Sequence, residues 1–386
     1  MPGLPLDYAI RNLGRSPSRL LLTATGSGLV VALVIGAGGF VNGMQKALRT
    51  SGSDRNVIIM GIGSEESIER SEISMATPTI AAASIPNLLN QAGVAAVSPE
   101  IHTAVEVTGE DGGSINAMIR GVRPEAFLVH RDATFVSGRP PRSGMNEIAV
   151  GRLATRSLGY DDPVDALGAT VVVDDIPFRT TGILSAAGGI IEGEIWMPLS
   201  DLLVVSQRDS LSCVVTRIEG RDTSSVDAFT ATRLDLELFA TRESDYYASL
   251  SAFFRPIRLM VIATAIMVAL GGVVGGLNTT YAAFASRVRE IGTLQTLGYS
   301  RSAVVRSLVV ESVLAAAIGG LVAAGLSVWL LDGVAIGFSM GVFGLDVDSG
   351  VLALGLAFGL GLGLVGAVMP AIRCLRLTIP EALKAN

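Results

Sequence analysis

The sequence predicts a membrane protein: four transmembrane α-helices plus a large α+β extracytoplasmic domain inserted between helices 1 and 2. Three observations predict it. The 386-residue chain is 49% hydrophobic and only 17% charged, with a mean hydropathy of +0.53, too apolar for an ordinary soluble protein and too polar to lie wholly in lipid. Apolar runs of about 20 residues, long enough to cross about 30 Å of hydrocarbon as a helix, occur at 20–41, 257–277, 308–331 and 351–372. Between the first and second runs, residues 44–255 have ordinary globular composition.

Taken in order, residues 1–19 contain LDYAIRNLGRSPSR at 6–19, which mixes Leu6, Tyr8, Ile10 and Leu13 with Arg11, Arg15 and Arg19. That mixture suits either a short helix lying at the membrane interface or an unstructured cationic anchor. The first span, 20–43, lacks a small-residue cleavage site followed by a polar start, so it reads as a retained helix. In the 44–255 domain, β-branched runs bounded by Gly, Asp and Pro predict strands at 56–60, 102–108, 169–173, 180–184 and 212–216. Helices are expected at 80–90, 147–158 and 224–238, the last behind Thr223 and Ser224 as caps. A strand-rich stretch from about Gly138 to Thr216 between helix-rich flanks suggests two lobes.

The second span is 256–280, followed by a loop at 281–307, the third span at 308–331, a short loop at 332–350, the fourth span at 351–372 and a tail at 373–386. Basic residues set the orientation. The first 19 residues carry three arginines, the 281–307 loop carries Arg287, Arg289, Arg301 and Arg306, and the tail carries Arg373, Arg376 and Lys384, whereas 332–350 has only Asp332, Asp346 and Asp348. Both termini and the 281–307 loop are therefore expected in the cytoplasm, and the chain in the inner membrane of a bacterium. Lys46, Arg49, Arg55 and Arg255 flank the outward domain, but a domain of that length translocates largely regardless of charge. Residues 44–255 hold 28 acidic and 18 basic residues, a net of 18 − 28 = −10, and such an acidic face disfavours nucleic acid as a partner.

The chemistry of an enzyme is not legible. The only lysines are Lys46 and Lys384, and neither sits in a G-x-x-x-x-G-K-[ST] phosphate loop, so no ATP site is expected in these residues. Gly361, Gly363 and Gly366 spell G-x-G-x-x-G inside the fourth span, where helix packing is the reading. His102 and His130 are far apart in sequence without an H-E-x-x-H motif, and Cys213 and Cys374 fall on opposite faces of the membrane, so neither a zinc centre nor an internal disulfide is expected. Glycines four apart, at 39 and 43, 271 and 275, 272 and 276, and 355, 359 and 363, let helices approach closely, within one bundle or across a dimer seam. Glu311, four residues into the third span, is expected in a structural ion pair with a nearby arginine such as Arg306, Arg301 or Arg287.

The 281–307 loop is the most informative segment. From Ala282 to Leu297 its composition is helical, with Val288, Ile291, Leu294 and Leu297 on roughly one face, Gly298 as a stop and Ser300 as the cap of the next helix. A stiff amphipathic element there suits being gripped by another protein, or is a plain surface helix between two spans.

REIGTLQTLGYSRSAVVRSLVVES, at 289–312, resembles the signature of the FtsX-like permease family of ABC transporters, the MacB type with a MacB-like periplasmic core domain, in which R-E-I-G-x-L-x-A-L-G leads into the third helix. Thr296 stands where that pattern usually has Ala. AIRNL at 9–13, GVAAVSPE at 93–100, RGVRPEAF at 120–127, VSGRPP at 136–141, EIAVGRLATRSLG at 147–159 and PEAL at 380–383 extend the likeness over nearly the whole chain, each weak by itself. The resemblance implies a homodimeric, or in some cases heterodimeric, permease whose coupling helix docks on a cytoplasmic ABC ATPase. That ATPase carries the ATP and magnesium, and this chain has no cofactor. The family often works by mechanotransmission, with a periplasmic adaptor or another envelope partner outside. By position, Arg289, Glu290, Gly292, Leu294, Leu297 and Gly298 match the coupling motif. A membrane-anchored extracytoplasmic sensor or receptor, and a regulator of a cell-wall hydrolase, remain as alternatives. A secondary transporter is disfavoured, because Glu311 is the one buried charge in the spans and no broken-helix pair is evident.

Overall fold

In chain order, α1 (Leu6–Arg15) and α2 (Pro17–Thr50) lead into β1 (Asn56–Gly61), α3 (Thr77–Ser84), a small hairpin of β2 (Asn90–Gln91) and β3 (Val94–Ala95), and the long β4 (Val97–Thr108). There follow β5 (Ser114–Val122), α4 (Ala126–Val129), β6 (Thr134–Gly138), β7 (Glu147–Gly151), α5 (Arg152–Ser157), β8 (Thr170–Val173), β9 (Ile176–Ser185), β10 (Ile195–Pro198) and α6 (Leu199–Val205). Next come β11 (Cys213–Arg217), α7 (Ser224–Thr232), β12 (Leu238–Arg242), α8 (Glu243–Phe253), α9 (Arg255–Ala285), α10 (Val288–Thr296) and α11 (Arg301–Leu331). A hairpin of β13 (Ala335–Phe338) and β14 (Gly341–Gly344), then α12 (Ser349–Cys374), complete the described elements. This computed structural model describes residues 6–15, 17–109, 112–338 and 341–374; PEAL, Arg376 and Lys384 lie outside them.

The chain forms two compact units, of which one comprises residues 1–42, 256–332 and 346–386. Among the described residues, four helical stretches, Leu20–Thr50, Arg255–Ala285, Arg301–Leu331 and Ser349–Arg373, are long and apolar enough to cross a membrane, each longer than the run predicted for it. Small residues bring the helices together. A Cβ on Gly28 of α2 would stand 3.0 Å from the Gly319 carbonyl oxygen of α11, and beside it Ser27 donates to the Ala316 carbonyl at 3.0 Å. Gly355 and Gly359 of α12 face Ile35 and Val31 of α2, Gly363 faces Ala316 of α11, and Gly272 of α9 faces Val30. Gly271 and Gly275 meet nothing within 4 Å. The four-residue spacing thus serves two faces of α9, a distinction that spacing alone does not contain.

The other unit, residues 43–255 with 333–345, is built on a ten-stranded sheet in the order β12-β1-β11-β4-β5-β10-β7-β9-β6, with β8 joined to β4 and β9. Strands occur at all five predicted places, although three helical expectations are corrected. Residues 80–90 are helical only to Ser84, because Pro86 cannot continue the ladder. Residues 147–158 begin as β7, a fully buried strand between β10 and β9, and turn helical only at Arg152. Its run EIAVG lacks alternation because both faces are covered, and periodicity cannot tell such a strand from a helix. Residues 224–238 are helical only to Thr232, and β12 starts at Leu238. Thr223 stands at the cap position but makes no side-chain cap bond; Asp222 accepts from the Ser224 amide instead, at 3.1 Å. The two expected lobes are one sheet. The start of β4, Val97–Glu100, pairs with β11, and its continuation from Ile101 pairs with β5, so a single strand joins both halves.

The segment between the third and fourth spans, read from sequence as a short acidic loop, carries the β13–β14 hairpin. Val342, Phe343 and Leu345 are buried, and the Val342 backbone lies so close to Gly193 that a side chain at 193 would strike it. Arg156 of α5 donates to the Gly333 carbonyl.

Candidate coupling site

The helix that carries the quoted motif is α10, and it is separate from α9. After Ala285 the ladder tightens: Ser286 still bonds to Ala282, but Arg287 bonds back three residues to Phe284, and α10 starts anew at Val288. The expected continuous helix from Ala282 is therefore two helices with Arg287 at the break. On α10 the apolar stripe turns inward. Val288 and Ile291 are buried, and Ile291 and the half-buried Leu294 pack with Phe284, Val304, Leu308 and Ala371.

The stripe ends one residue earlier than the sequence predicts. Leu297 sits just past the last helical residue and is 71% exposed, because the chain leaves the helical phase there and turns through Gly298 at φ +91. Ser300 then caps α11, accepting from the Ala303 amide at 3.2 Å, as expected. Of the six motif residues, Arg289, Glu290, Leu297 and Gly298 are exposed, Leu294 is half-buried, and Gly292 is buried within the helix packing. The free face of α10 thus presents Arg289, Thr293 and Thr296, with Leu297 at its tip.

Arg287 ties this helix to its neighbours. Its Nε donates to Glu290 at 2.9 Å, and its Nη1 donates to the buried Glu311 of α11 at 3.2 Å. The same Glu311 oxygen accepts from Asn12 of α1 at 2.7 Å. Glu311 is ion-paired with Arg287, one of the three arginines expected near it, and has Asn12 as a further partner that sequence reasoning missed. The available signal was a lone amide beside Leu13 on the inner face of α1. α1 is thus a helix rather than an unstructured anchor.

The large domain holds a second cluster of buried polar groups, at the point where β4 changes partner. Glu100 is fully buried and accepts from Arg120 at 3.0 Å, with His102 and His130 nitrogens at 3.0 and 2.7 Å. Arg120 forks onto both oxygens of Glu194 at 2.7 Å each, and the Trp196 indole donates to Glu194 at 2.9 Å. Burial opposes the charge on Glu100, but the His130 and Arg120 charges and the bonds from both histidines outweigh it and hold its carboxyl well below the usual carboxylate range. Burial likewise opposes the charge on His130, and Glu100 more than compensates, so its pKa is raised. On His102 burial wins, helped by Arg120, and its pKa is lowered.

The two histidines, far apart in sequence, thus converge, and Cys213 of β11 stands opposite Glu100 in register. Glu100, His102 and Cys213 each bring one ligand atom within 4.8 Å of the others. A dication fits this set poorly, because the carboxylate it would need already accepts from a fixed guanidinium 3.0 Å away. The cluster is a structural charge network, and its signal in the sequence is a charged residue inside or beside each of three apolar strands: Glu100 in β4, Arg120 in β5 and Glu194 immediately before β10.

Comparison with known proteins places residues 20–232 in the MacB-like periplasmic core domain family and residues 262–379 in the FtsX-like permease C-terminal family. Among curated relatives, the macrolide export ATP-binding/permease protein MacB of Acinetobacter baylyi is 21% identical over 343 residues, covering 84% of this chain and 51% of that protein. The MacB protein of Nitrobacter winogradskyi is 28% identical, covering 65% of this chain and 40% of that one. The uncharacterized ABC transporter permease YknZ of Bacillus subtilis is 23% identical, covering 74% and 71%. The chain thus spans about half or less of the length of the MacB relatives. Among solved structures, the periplasmic region of MacB from Actinobacillus actinomycetemcomitans is similar at 15% identity with a TM-score of 0.40, over 53% of this chain and 96% of that one.

Proposed function

Because the chain belongs to the family of ABC-transporter permeases that join a MacB-like periplasmic core domain to an FtsX-like C-terminal region, we propose that it couples ATP hydrolysis on a cytoplasmic ABC ATPase to movement of its large domain on the far side of the membrane. ATP and magnesium belong to that ATPase, which lies outside these 386 residues. On this reading both termini and α10 face the cytoplasm of a bacterial cell, the membrane is the inner membrane, and two copies of the chain, or this chain and a paralogue, form the working permease. The output is efflux, lipoprotein release or envelope remodelling by mechanotransmission, with an adaptor or another envelope partner on the large domain.

The observation that carries the reading is α10. Its inner face is fixed by Ile291 and Leu294, its outer face and Leu297 tip are free, and Arg287 at its start is bonded to Glu311 of α11. A push on the outer face therefore reaches α11 through a short, charge-assisted contact rather than through a loose loop. The chain then leaves α11 into the β13–β14 hairpin, which packs on the large domain, and returns into α12. The domain is thereby connected by chain to all four spans instead of the two that flank it in sequence.

Co-expression with candidate ABC ATPases tests the proposal. An ATPase that co-purifies with the wild-type chain, and is lost with Leu297→Asp while the permease still inserts, is the expected result. A chain that binds no ABC ATPase overturns the reading in favour of a membrane-anchored sensor.

A further inference from the structure

The large domain contains a cavity of about 600 Å³, within the range of small-molecule sites. It opens where the parallel strands β5 and β10 end, paired through Val122 and Pro198. The ends of parallel strands, where the chain turns into loops and helix starts, are where sheets with such strands commonly take ligands. Its lining is aromatic: Phe127 packs against Phe135 and Trp196 in tilted pairs, with ring centres 5.4 and 5.6 Å apart. The Trp196 N–H is already held by Glu194, which leaves the cavity an apolar ring.

The rim is cationic. Arg123 and Arg142 line the cavity, no carboxylate does, and neither guanidinium has a salt bridge among the described residues. Two acids close by in the same loops are already engaged: Glu147 accepts from the Arg142 amide at 2.9 Å and pairs with Arg139, and Asp201 accepts from the Gly144 amide at 3.0 Å. These bonds, with Pro140 and Pro141, stiffen the loop that carries Arg142. In a domain of net charge 18 − 28 = −10, a pocket lined by two arginines and no acid runs against the surrounding field.

We propose that this cavity is a binding site for a small amphiphile with an apolar body and a single anionic head, the body lying on the Phe127, Phe135 and Trp196 rings and the head between Arg123 and Arg142. The site stands independently of the coupling role of α10. Charge complementarity commits it to an anion, and the partly open apolar volume to a compact hydrophobic body.

The chain has two tryptophans, Trp196 and Trp329, so Trp329→Phe leaves Trp196 as the sole emitter. The test titrates that full-length variant, in phosphatidylcholine nanodiscs, with decanoate, and in parallel with decanol and decylammonium. Expected is a saturable change in Trp196 emission with decanoate, weakened about tenfold or more in the double variant Arg123→Glu, Arg142→Glu, and weaker still with decylammonium. Both arginines are exposed, and an unchanged thermal midpoint verifies that the double variant is folded. Equal responses to decanoate and decanol, an unaffected double variant, or no saturable response overturns the proposal.

Discussion

Glu100 decides how the large domain responds to acid. Its pKa and that of Glu194 are lowered in the folded chain from an ordinary value near 4.5, so the stability they contribute is present above that value and lost as pH falls through their folded values. The histidines act with opposite signs. His130, raised from 6.5, contributes stability below 6.5 that is lost as pH rises through its folded value, whereas His102, lowered, contributes above 6.5 and loses it as pH falls. Around neutrality these two slopes oppose each other, and the steep loss belongs to the acid side. Thermal unfolding of the full chain is therefore expected to show a midpoint that drops below pH 4.5. In Glu100→Gln the midpoint at pH 7 is lower and its fall in acid is blunted, because Arg120 loses a buried charged partner, a change worth about 3–5 kcal/mol. A flat acid profile in the wild type contradicts the assignment. Glu311→Ala removes the common acceptor of Arg287 and Asn12 at a comparable cost, and a midpoint in detergent equal to that of wild type contradicts a structural role. Of these groups only Glu311 was singled out from the sequence as a paired charge, because a charge in a lipid-length apolar run stands out. Glu100 and Arg120 lie in separate strands and Glu194 immediately before a third, and their meeting depends on β4 passing from β11 to β5, which no local pattern encodes.

At the level of elements, hydrophobic length was the strongest signal, and all four spans were read from it. Strands at the sheet interior were harder. β7 and the start of β4 are buried on both faces, so their runs carry no period-2 alternation, and β7 was read as helix. The β13–β14 hairpin was missed because its ten residues hold few polar landmarks and lie where a short connection is the simplest reading. Gly193 is the residue on which its docking depends. Gly193→Val is expected to lift the hairpin from the domain and open 335–344 to protease in the detergent-solubilised chain, while 44–255 stays resistant. Equal protease resistance of variant and wild type contradicts the docking. In α10 the motif was legible and its division of labour was not. Gly292 and Leu294 belong to the side that packs, and Leu297, expected on that side, points out because the helix ends before it. Leu294→Asp is thus expected to lower the yield of folded permease, and Leu297→Asp to leave it unchanged.

For the molecule as a whole, force on the proposed reading enters at α10 and leaves at the large domain, with Arg287, Glu311 and the hairpin between. The family and the four-span architecture were legible in the sequence, since composition, basic loops and the REIG motif all agree. The route between the two ends was not, because it runs through contacts among residues distant in the chain. The most direct test is ATP turnover of the permease–ATPase complex reconstituted in nanodiscs, compared between wild type and Leu297→Asp. The account predicts that the wild-type permease binds the ATPase and changes its turnover, and that Leu297→Asp, equally well folded, does neither. Turnover and binding that are the same for both would contradict it.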